Sequence, residues 1–517
     1  MKHGDPIDVC LSKAAVLAQL KKLSPDYKNV PVIERIALDN FKNSEFRNDP
    51  INIFRKFKNI SQHCFILESL EDKQKWGRWT FLGFNPKLEV SCINGNVTIK
   101  NGTNITIFTE HPADYLKNIL NDNKSPTPQV IAKYLPEIGE MPPFSGGLVG
   151  YFSFEYIKYS EPTLSKIMDS TQSYDGEAFK DFDLMLFDKI ICWDHLKQEL
   201  NIIVNIKTDA LKENYNNAIE EIKKIKRIIL KGEEAQISDL KINSEFKELF
   251  SKEDYCKMVE KGKYYIKEGD IFQVVLANQM SANVEGSIFN TYKILRKINP
   301  SPYMFYFSSD DIEIAGASPE TLVKLQDGKM WTFPLAGTRP RGIDEISDKQ
   351  LEAELLADPK EIAEHNMLVD LGRNDLGKLC EFGSVNVEKY MLVERFSHVM
   401  HIGSTVCGTI KKEHSGLDAI NAVLPAGTLS GAPKIRACEI IAELEKTRRG
   451  IYGGAIGYLD FNGNMDTCIS IRIAYKKDGK VFVRSGAGIV ADSVPQNEYE
   501  ECRNKMKAVL GALEQSA

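Results

Sequence analysis

The chain has 517 residues, 43% hydrophobic and 27% charged, the make-up of an ordinary globular protein. A single core stops growing near ~250–300 residues, so one very large domain or two are expected. The formal net charge is −6 with both signs interspersed and no basic tract, which gives no electrostatic support to a nucleic acid or a membrane surface as partner. A small anionic substrate stays open, its charge to be met locally. Ten cysteines are scattered from Cys10 to Cys502 without a Cys-x-x-Cys pair, against a zinc site or a disulfide framework. Met1–Asp5 lacks the apolar stretch of a signal peptide, and no window approaches the ~18 apolar residues of a membrane span. The expectation is a soluble, cytoplasmic protein with reduced thiols.

In chain order, the first 240 or so residues predict short strands broken by turns. Cys64-Phe65-Ile66-Leu67, Leu88-Glu89-Val90-Ser91 and Asn96-Val97-Thr98-Ile99 are such runs, and Asn94-Gly95 and Asn101-Gly102 are hairpin signals. Residues 144–152 predict a buried strand entered through a glycine turn. Residues 212–249 predict a Lys/Glu-rich helical connector with a solvated face, dividing the chain into portions 1–240 and 241–517. Beyond it, amphipathic helices are expected near 252–268, 360–376 and 498–513, alternating with strands such as 471–475 and 481–483. Gly453-Gly454 and Gly486-Ala487-Gly488 are expected as turns at strand ends, where sites are commonly presented.

Two pairs of acids stand out by their spacing. Glu361 and Glu364 follow Asp358-Pro359, an N-cap residue and a first-turn proline, so both carboxylates project from one helix face. Glu498 and Glu501 repeat the spacing after Pro495. Each pair alone also suits a solvated helix face; two such faces together make an oxygen-rich site for a hard cation such as Mg²⁺. The run 334–342 contains Gly337-Thr338 between apolar residues and Arg339 and Arg341, either a bidentate carboxylate binder or a surface loop with structural arginines. His401 lies in an apolar stretch, where core histidines and catalytic ones both occur. Gly427-Thr428 with 430–434 has glycine-rich character but no phosphate-loop spacing. The residues by themselves give a soluble α/β enzyme, Mg²⁺-assisted, acting on a small polycarboxylate.

Residues 334–342, 358–370, 399–401, 424–434 and 485–493 together resemble, in order and spacing, the chorismate-utilising enzymes. The match covers about 250–510, and the N-terminal portion is similar to the large subunits of anthranilate synthases. The resemblance implies an α/β (α+β) layered fold, with antiparallel sheets at its centre and helices outside. It implies Glu361, Glu364, Glu498 and Glu501 as the Mg²⁺ cluster, partly through water. Arg472 and Tyr452, with backbone N–H groups near Gly486 and Gly488, would hold the enolpyruvyl carboxylate of chorismate, with Thr428 and Lys505 as further contacts. Glu320 resembles the general acid for the departing C4 hydroxyl, a group that leaves poorly unless protonated. Thr338 belongs to the same candidate catalytic set.

Three positions bear on the branch. Relatives that add water to chorismate carry a lysine base where this chain has Gln273; ammonia needs no base there. Relatives that make aminodeoxychorismate often carry a lysine where this chain has Ala336. His401 matches the histidine linked to pyruvate elimination, the aromatising step. The implied reaction takes chorismate and ammonia to anthranilate and pyruvate, in tryptophan biosynthesis. No cysteine has the glycine-flanked setting of a glutaminase nucleophile, so a separate glutamine amidotransferase subunit is implied as ammonia source. Glu68-Ser69, with Pro302-Tyr303-Met304, resembles the segments that bind tryptophan as feedback inhibitor, placing a regulatory site in portion 1–240 and catalysis in 241–517. Two alternatives stay open: an aminodeoxychorismate-forming enzyme, and a tryptophan-binding subunit without catalysis.

Overall fold

The structure, a computed structural model, describes residues 13–38, 49–70, 77–108, 111–171, 179–395 and 399–517. The Asn-Gly signals form hairpins. Ile93 pairs with Asn96 across Asn94 (φ 50°) and Gly95 (φ 82°), the twist that a two-residue turn between right-twisted strands demands. Asn101 pairs with Asn104 across a turn containing Gly102 (φ 58°).

Among the described residues the strands form two antiparallel sheets, of thirteen and twelve strands. In the larger, Cys64–Glu68 lies against Tyr303–Ser308, with Glu68 opposite Met304. In the smaller, Gly147–Phe152 lies against Ala455–Asp460. Strand pairing therefore crosses residue 240 in both sheets. Gly147 permits this approach: a Cβ there would sit 2.0 Å from the Leu459 carbonyl oxygen.

The inner faces of the two sheets meet in an aromatic core that includes Phe65, Phe144, Tyr151, Phe187, Phe305 and Tyr458. Phe144 stacks on Tyr458 with ring centroids 4.2 Å apart, and Phe65 meets Phe187 edge-on at 4.8 Å. Helices cover the outer faces. Leu211–Lys231, Lys252–Lys267, Phe289–Ile298 and Pro495–Ser516 belong to the core of the larger sheet, and Pro359–Gly377 and Gly416–Val423 to that of the smaller. This is the layered arrangement of central antiparallel sheets and outer helices expected from the sequence.

Three local expectations are corrected. The helix predicted over 212–249 ends at Lys231, where Gly232 caps the Ile228 carbonyl. After Leu240 exposed and half-buried positions alternate as far as Glu248, and Lys241–Ile242 and Lys247–Glu248 pair with Gln273–Glu285. The helix is also more than a solvated connector, because Tyr215, Ala218, Ile222, Ile225 and Ile229 recur at helical spacing and are buried. Gly486 and Gly488 lie inside the strand Lys480–Ile489, not in a turn. Close packing explains the first of them: a Cβ on Gly486 would come within 2.7 Å of the Leu276 carbonyl oxygen.

Phe144 is fully buried between the sheets. Phe144→Ala is expected to lower unfolding free energy by ~3–5 kcal/mol. Denaturant titration should show an earlier midpoint at unchanged slope.

Candidate active site

Two helix starts bring the acidic pairs to one place. Asp358 caps Pro359–Gly377, its carboxylate accepting from the Lys360 and Glu361 backbone N–H groups at 3.0 and 3.5 Å, with Pro359 at the first position. Glu361 and Glu364 follow on one face. Glu498 and Glu501 open Pro495–Ser516 after Pro495. The two faces lie within electrostatic reach: Glu364 feels Glu361, Lys360, Lys505 and Glu501, and Glu498 feels Glu501, Lys360 and Lys505. Burial first, and the neighbouring glutamate in each pair, hold the carboxyls of Glu364 and Glu498 above the usual range.

The other two acids are paired, Glu361 with Arg339 at 3.4 Å and Glu501 with Lys505 at 2.7 Å. No three of the four reach the mutual separation of 4.8 Å that, among the described residues, only His63, Glu89 and Asp310 achieve. Repulsion between like charges and the two basic partners account for that spread. The donor set nonetheless fits Mg²⁺: it is all oxygen, and a cation would relieve the two carboxyls that burial holds above the usual range.

Glu320 stands between the strands Ile312–Ser318 and Thr321–Gln326. Its backbone carbonyl accepts from Ile469 at 2.9 Å, and the Thr428 hydroxyl donates to its carboxylate at 3.1 Å. Burial pushes the Glu320 carboxyl up to about 8, against the opposing pull of Thr428 and Lys505. It is therefore largely protonated at neutral pH, the state a proton donor requires.

His401 lies opposite Thr338 in the pairing of Leu335–Pro340 with Val399–Thr409, where the register shifts by a bulge after Ala336. Its Nδ1 is 2.9 Å from the Gly337 carbonyl oxygen and 3.0 Å from the Thr338 hydroxyl. A carbonyl only accepts, so the proton sits on Nδ1 and Nε2 is the basic nitrogen. Burial, with Arg472 and Lys505 nearby, holds the imidazole below its ordinary value, so it is neutral near pH 7. Gly337 (φ 68°) packs on the acidic helix, since a Cβ there would lie 3.1 Å from Glu361 Oε2. The neighbouring arginines are engaged by the protein's own carboxylates: Arg339 by Asp358 and Glu361, and Arg341 by both oxygens of Asp348 at 2.9 Å. They are structural.

Across from these groups, Arg472 adopts a left-handed backbone (φ 54°) and donates to the Lys505 carbonyl at 3.2 Å. Lys505 Nζ donates to the Gly486 carbonyl at 3.1 Å. The Tyr452 hydroxyl would lie 3.1 Å from a Cβ on Gly486, and Gln273 Nε2 2.6 Å from one on Gly488, so both side chains use space that the glycines leave. Gln273 Oε1 is buried without a protein partner. Contacts and electrostatic neighbours thus join all the sequence-predicted catalytic, substrate and metal candidates into one region.

The remaining candidates lie elsewhere. Glu68, Ser69, Pro302, Tyr303 and Met304 line a separate cavity of about 500 Å³. Glu68 is engaged on its far side, accepting from Tyr292 and, at 2.9 Å, from Arg296 Nη2. Ser69 Oγ is buried without a partner. The Tyr303 hydroxyl is 2.8 Å from both Thr321 Oγ1 and Asp466 Oδ1. Sequence reasoning missed Gln129, Met141, Lys324, Tyr458 and Asp466 in this lining. The one available signal was Asp466, the single charged residue of the strand Met465–Ile469.

Because Glu320 keeps its proton to about pH 8 when folded but releases it near ~4.3 when unfolded, stability contributed by this group is full below ~4.3 and lost as pH rises through about 8. Glu320→Gln removes that dependence. Thermal melts should show the variant gaining on the parent as pH is raised from 5 to 8, with little difference at pH 4.

The sequence matches the chorismate binding enzyme family over residues 62–511. Anthranilate synthase component 1 of Acetivibrio thermocellus is 44% identical over 510 residues, covering 97% of this chain and 98% of its own. The protein of the same name from Aquifex aeolicus is 40% identical over 505 residues, covering 96% and 97%. The crystal structure of anthranilate synthase component I from Streptococcus pneumoniae superposes with a TM-score of 0.69 at 36% identity, over 86% of this chain and 93% of that one. The menaquinone-specific isochorismate synthase of Escherichia coli, at 19% identity and a TM-score of 0.66 over 97% and 99%, shares the fold. The chain belongs to the chorismate binding enzyme family, in the branch of the anthranilate synthase component 1 proteins.

Proposed function

We propose that this enzyme converts chorismate and ammonia to anthranilate and pyruvate by way of 2-amino-2-deoxyisochorismate, as the aminating subunit of tryptophan biosynthesis. The observation that carries the reading is a carboxyl group protonated near neutrality, Glu320, in one region with a neutral histidine, His401, and two facing acidic helix starts. Arg472, Tyr452 and the backbone at Gly486 and Gly488 hold the enolpyruvyl carboxylate. Glu320 gives its proton to the C4 hydroxyl, which leaves as water while ammonia bonds to C2 and the ring double bonds shift. Gln273 is no base, which suits ammonia and disfavours water as nucleophile. His401 Nε2 then takes the C2 proton; the ether bond at C3 breaks, the ring becomes aromatic, and enolpyruvate leaves as pyruvate. Thr338 and the Gly337 carbonyl keep the imidazole in the required tautomer. Mg²⁺ held by Glu361, Glu364, Glu498 and Glu501, some through water, would neutralise and orient the ring carboxylate.

Ammonia comes from a glutamine amidotransferase subunit, in keeping with the component 1 name of the relatives. Tryptophan binds the 500 Å³ cavity as feedback inhibitor, with Ser69 Oγ as a polar contact and Tyr303 and Met304 against the indole. Inhibition requires that the occupied state bind chorismate more weakly. Regulation then rests on portion 1–240, completed by residues of 241–517, and chemistry on 241–517.

Purified protein with chorismate, Mg²⁺ and ammonium should produce fluorescent anthranilate and an equal amount of pyruvate. A 4-amino product without pyruvate would overturn the assignment. His401→Met should slow aromatisation at least tenfold, so that the aminated, non-aromatic intermediate accumulates; unchanged anthranilate release removes His401 from the mechanism. Ser69→Phe should leave the uninhibited rate within about twofold while weakening tryptophan inhibition at least tenfold, read from inhibition curves; undisturbed inhibition means the inhibitor binds elsewhere.

A further inference from the structure

Behind the substrate side of the site lies a cluster of charged side chains that no step above uses. Glu445, Arg449, Arg484 and Glu155 are 1%, 1%, 2% and 4% exposed. Arg449 binds both oxygens of Glu445, through Nε at 3.0 Å and Nη2 at 2.5 Å, and its guanidinium lies over the Phe154 ring at 4.5 Å. Arg484 Nη2 donates to Glu445 at 2.8 Å. Glu155 accepts from the backbone N–H groups of Arg449 and Gly450 at 2.6 and 3.0 Å.

Further hydrogen bonds run from the cluster to backbone groups beside the site residues. Arg449 Nη1 donates to the Leu429 carbonyl at 2.6 Å, one residue beyond Thr428. Its Nη2 donates to the Val275 carbonyl at 2.8 Å, two residues beyond Gln273. Glu445 accepts from the Ala277 N–H at 2.9 Å. Arg484 donates to the Arg448 carbonyl at 2.8 Å from the strand that carries Gly486 and Gly488. Arg449 itself lies in the loop that presents Tyr452, three residues before it.

Desolvating four charges is a poor route to stability, because apolar residues of similar volume commonly do as well. Geometry is what the cluster supplies. We propose that Arg449 is a positioning residue: its planar fork, locked on Glu445, holds the Thr428 turn, the Gln273 strand and the Tyr452 loop at one fixed spacing. Lysine cannot replace it, since a point charge on a flexible stem cannot reach two carbonyls and a carboxylate at once. The inference rests on the reading of these residues as a chorismate site, but the spacing it describes can be measured without turnover.

Arg449→Lys keeps the charge and loses the fork. Its kcat/KM for ammonia-dependent anthranilate formation should fall about 10–100-fold, with chorismate KM raised as well as kcat lowered. Amide hydrogen exchange should rise at least tenfold at residues 427–430 and 486–489, while residues 64–68 beside the other cavity exchange as in the parent. If Arg449→Lys does not fold, Glu445→Gln, which removes the charge that locks the fork, should give the same pattern. Parent-like exchange at 427–430 and 486–489 in a folded variant overturns the proposal, whether or not the parent turns over chorismate. So does a folded variant with kcat/KM within twofold of the parent. Inactive parent protein with the expected exchange pattern would instead refute the chorismate reading and leave the positioning role standing.

Discussion

One ammonium group organises the site. Lys505 bonds to Glu501 and to the Gly486 carbonyl, and its charge is felt by Glu320, Glu364, Glu498 and His401. Without a positive charge there, carboxylates on two helix starts would face one another with Lys360 near both and Arg339 on Glu361 as the remaining basic partners. The same charge opposes protonation of His401 and moderates the rise that burial imposes on Glu320. Burial outweighs that charge at Glu320 and acts with it at His401, so an acid keeps its proton while a base stays neutral near neutral pH, the separation that a sequence of proton donation and proton removal needs. The helix Pro495–Ser516 delivers Lys505, and its burial against the larger sheet fixes where that charge can sit.

The parts of the site that sequence made legible are those whose signal is local. Asp358-Pro359 announces a helix start in two residues, and i,i+3 spacing then dictates which side chains share a face. Asn94-Gly95 announces a reversal for a similarly local reason, because few residues tolerate its backbone angles. The functional motifs were legible through family resemblance, which supplied roles that spacing alone leaves undecided.

What escaped the sequence depends on partners that no local pattern announces. Arg339 and Arg341 suited either a substrate carboxylate or a structural role, and only the positions of Asp358, Glu361 and Asp348, which occupy them, decide for the second. Gly486 and Gly488 suggested a turn, whereas the space they leave inside a straight strand is taken by Tyr452 and Gln273. The walls of the 500 Å³ cavity come from widely separated segments, around Ser69, Gln129, Tyr303 and Asp466, none of which carries a local mark of enclosure. The run 212–249 misled because Lys/Glu-rich composition favours helix throughout, while alternation after Leu240 marks strand.

The crossing of both sheets by chain segments from either side of residue 240 also constrains how the molecule comes into being. Phe152 finds its neighbour Ala455 only after about 300 further residues have been made, and Glu68 waits for Met304. A growing chain emerging from the ribosome therefore carries strand edges and a half-built aromatic layer for most of its synthesis. Assembly of the central layers is a late event, set by distant contacts rather than by local propensity. Chain termination before the Ala455–Asp460 strand would leave the Gly147–Phe152 edge bare, an invitation to pair with another chain.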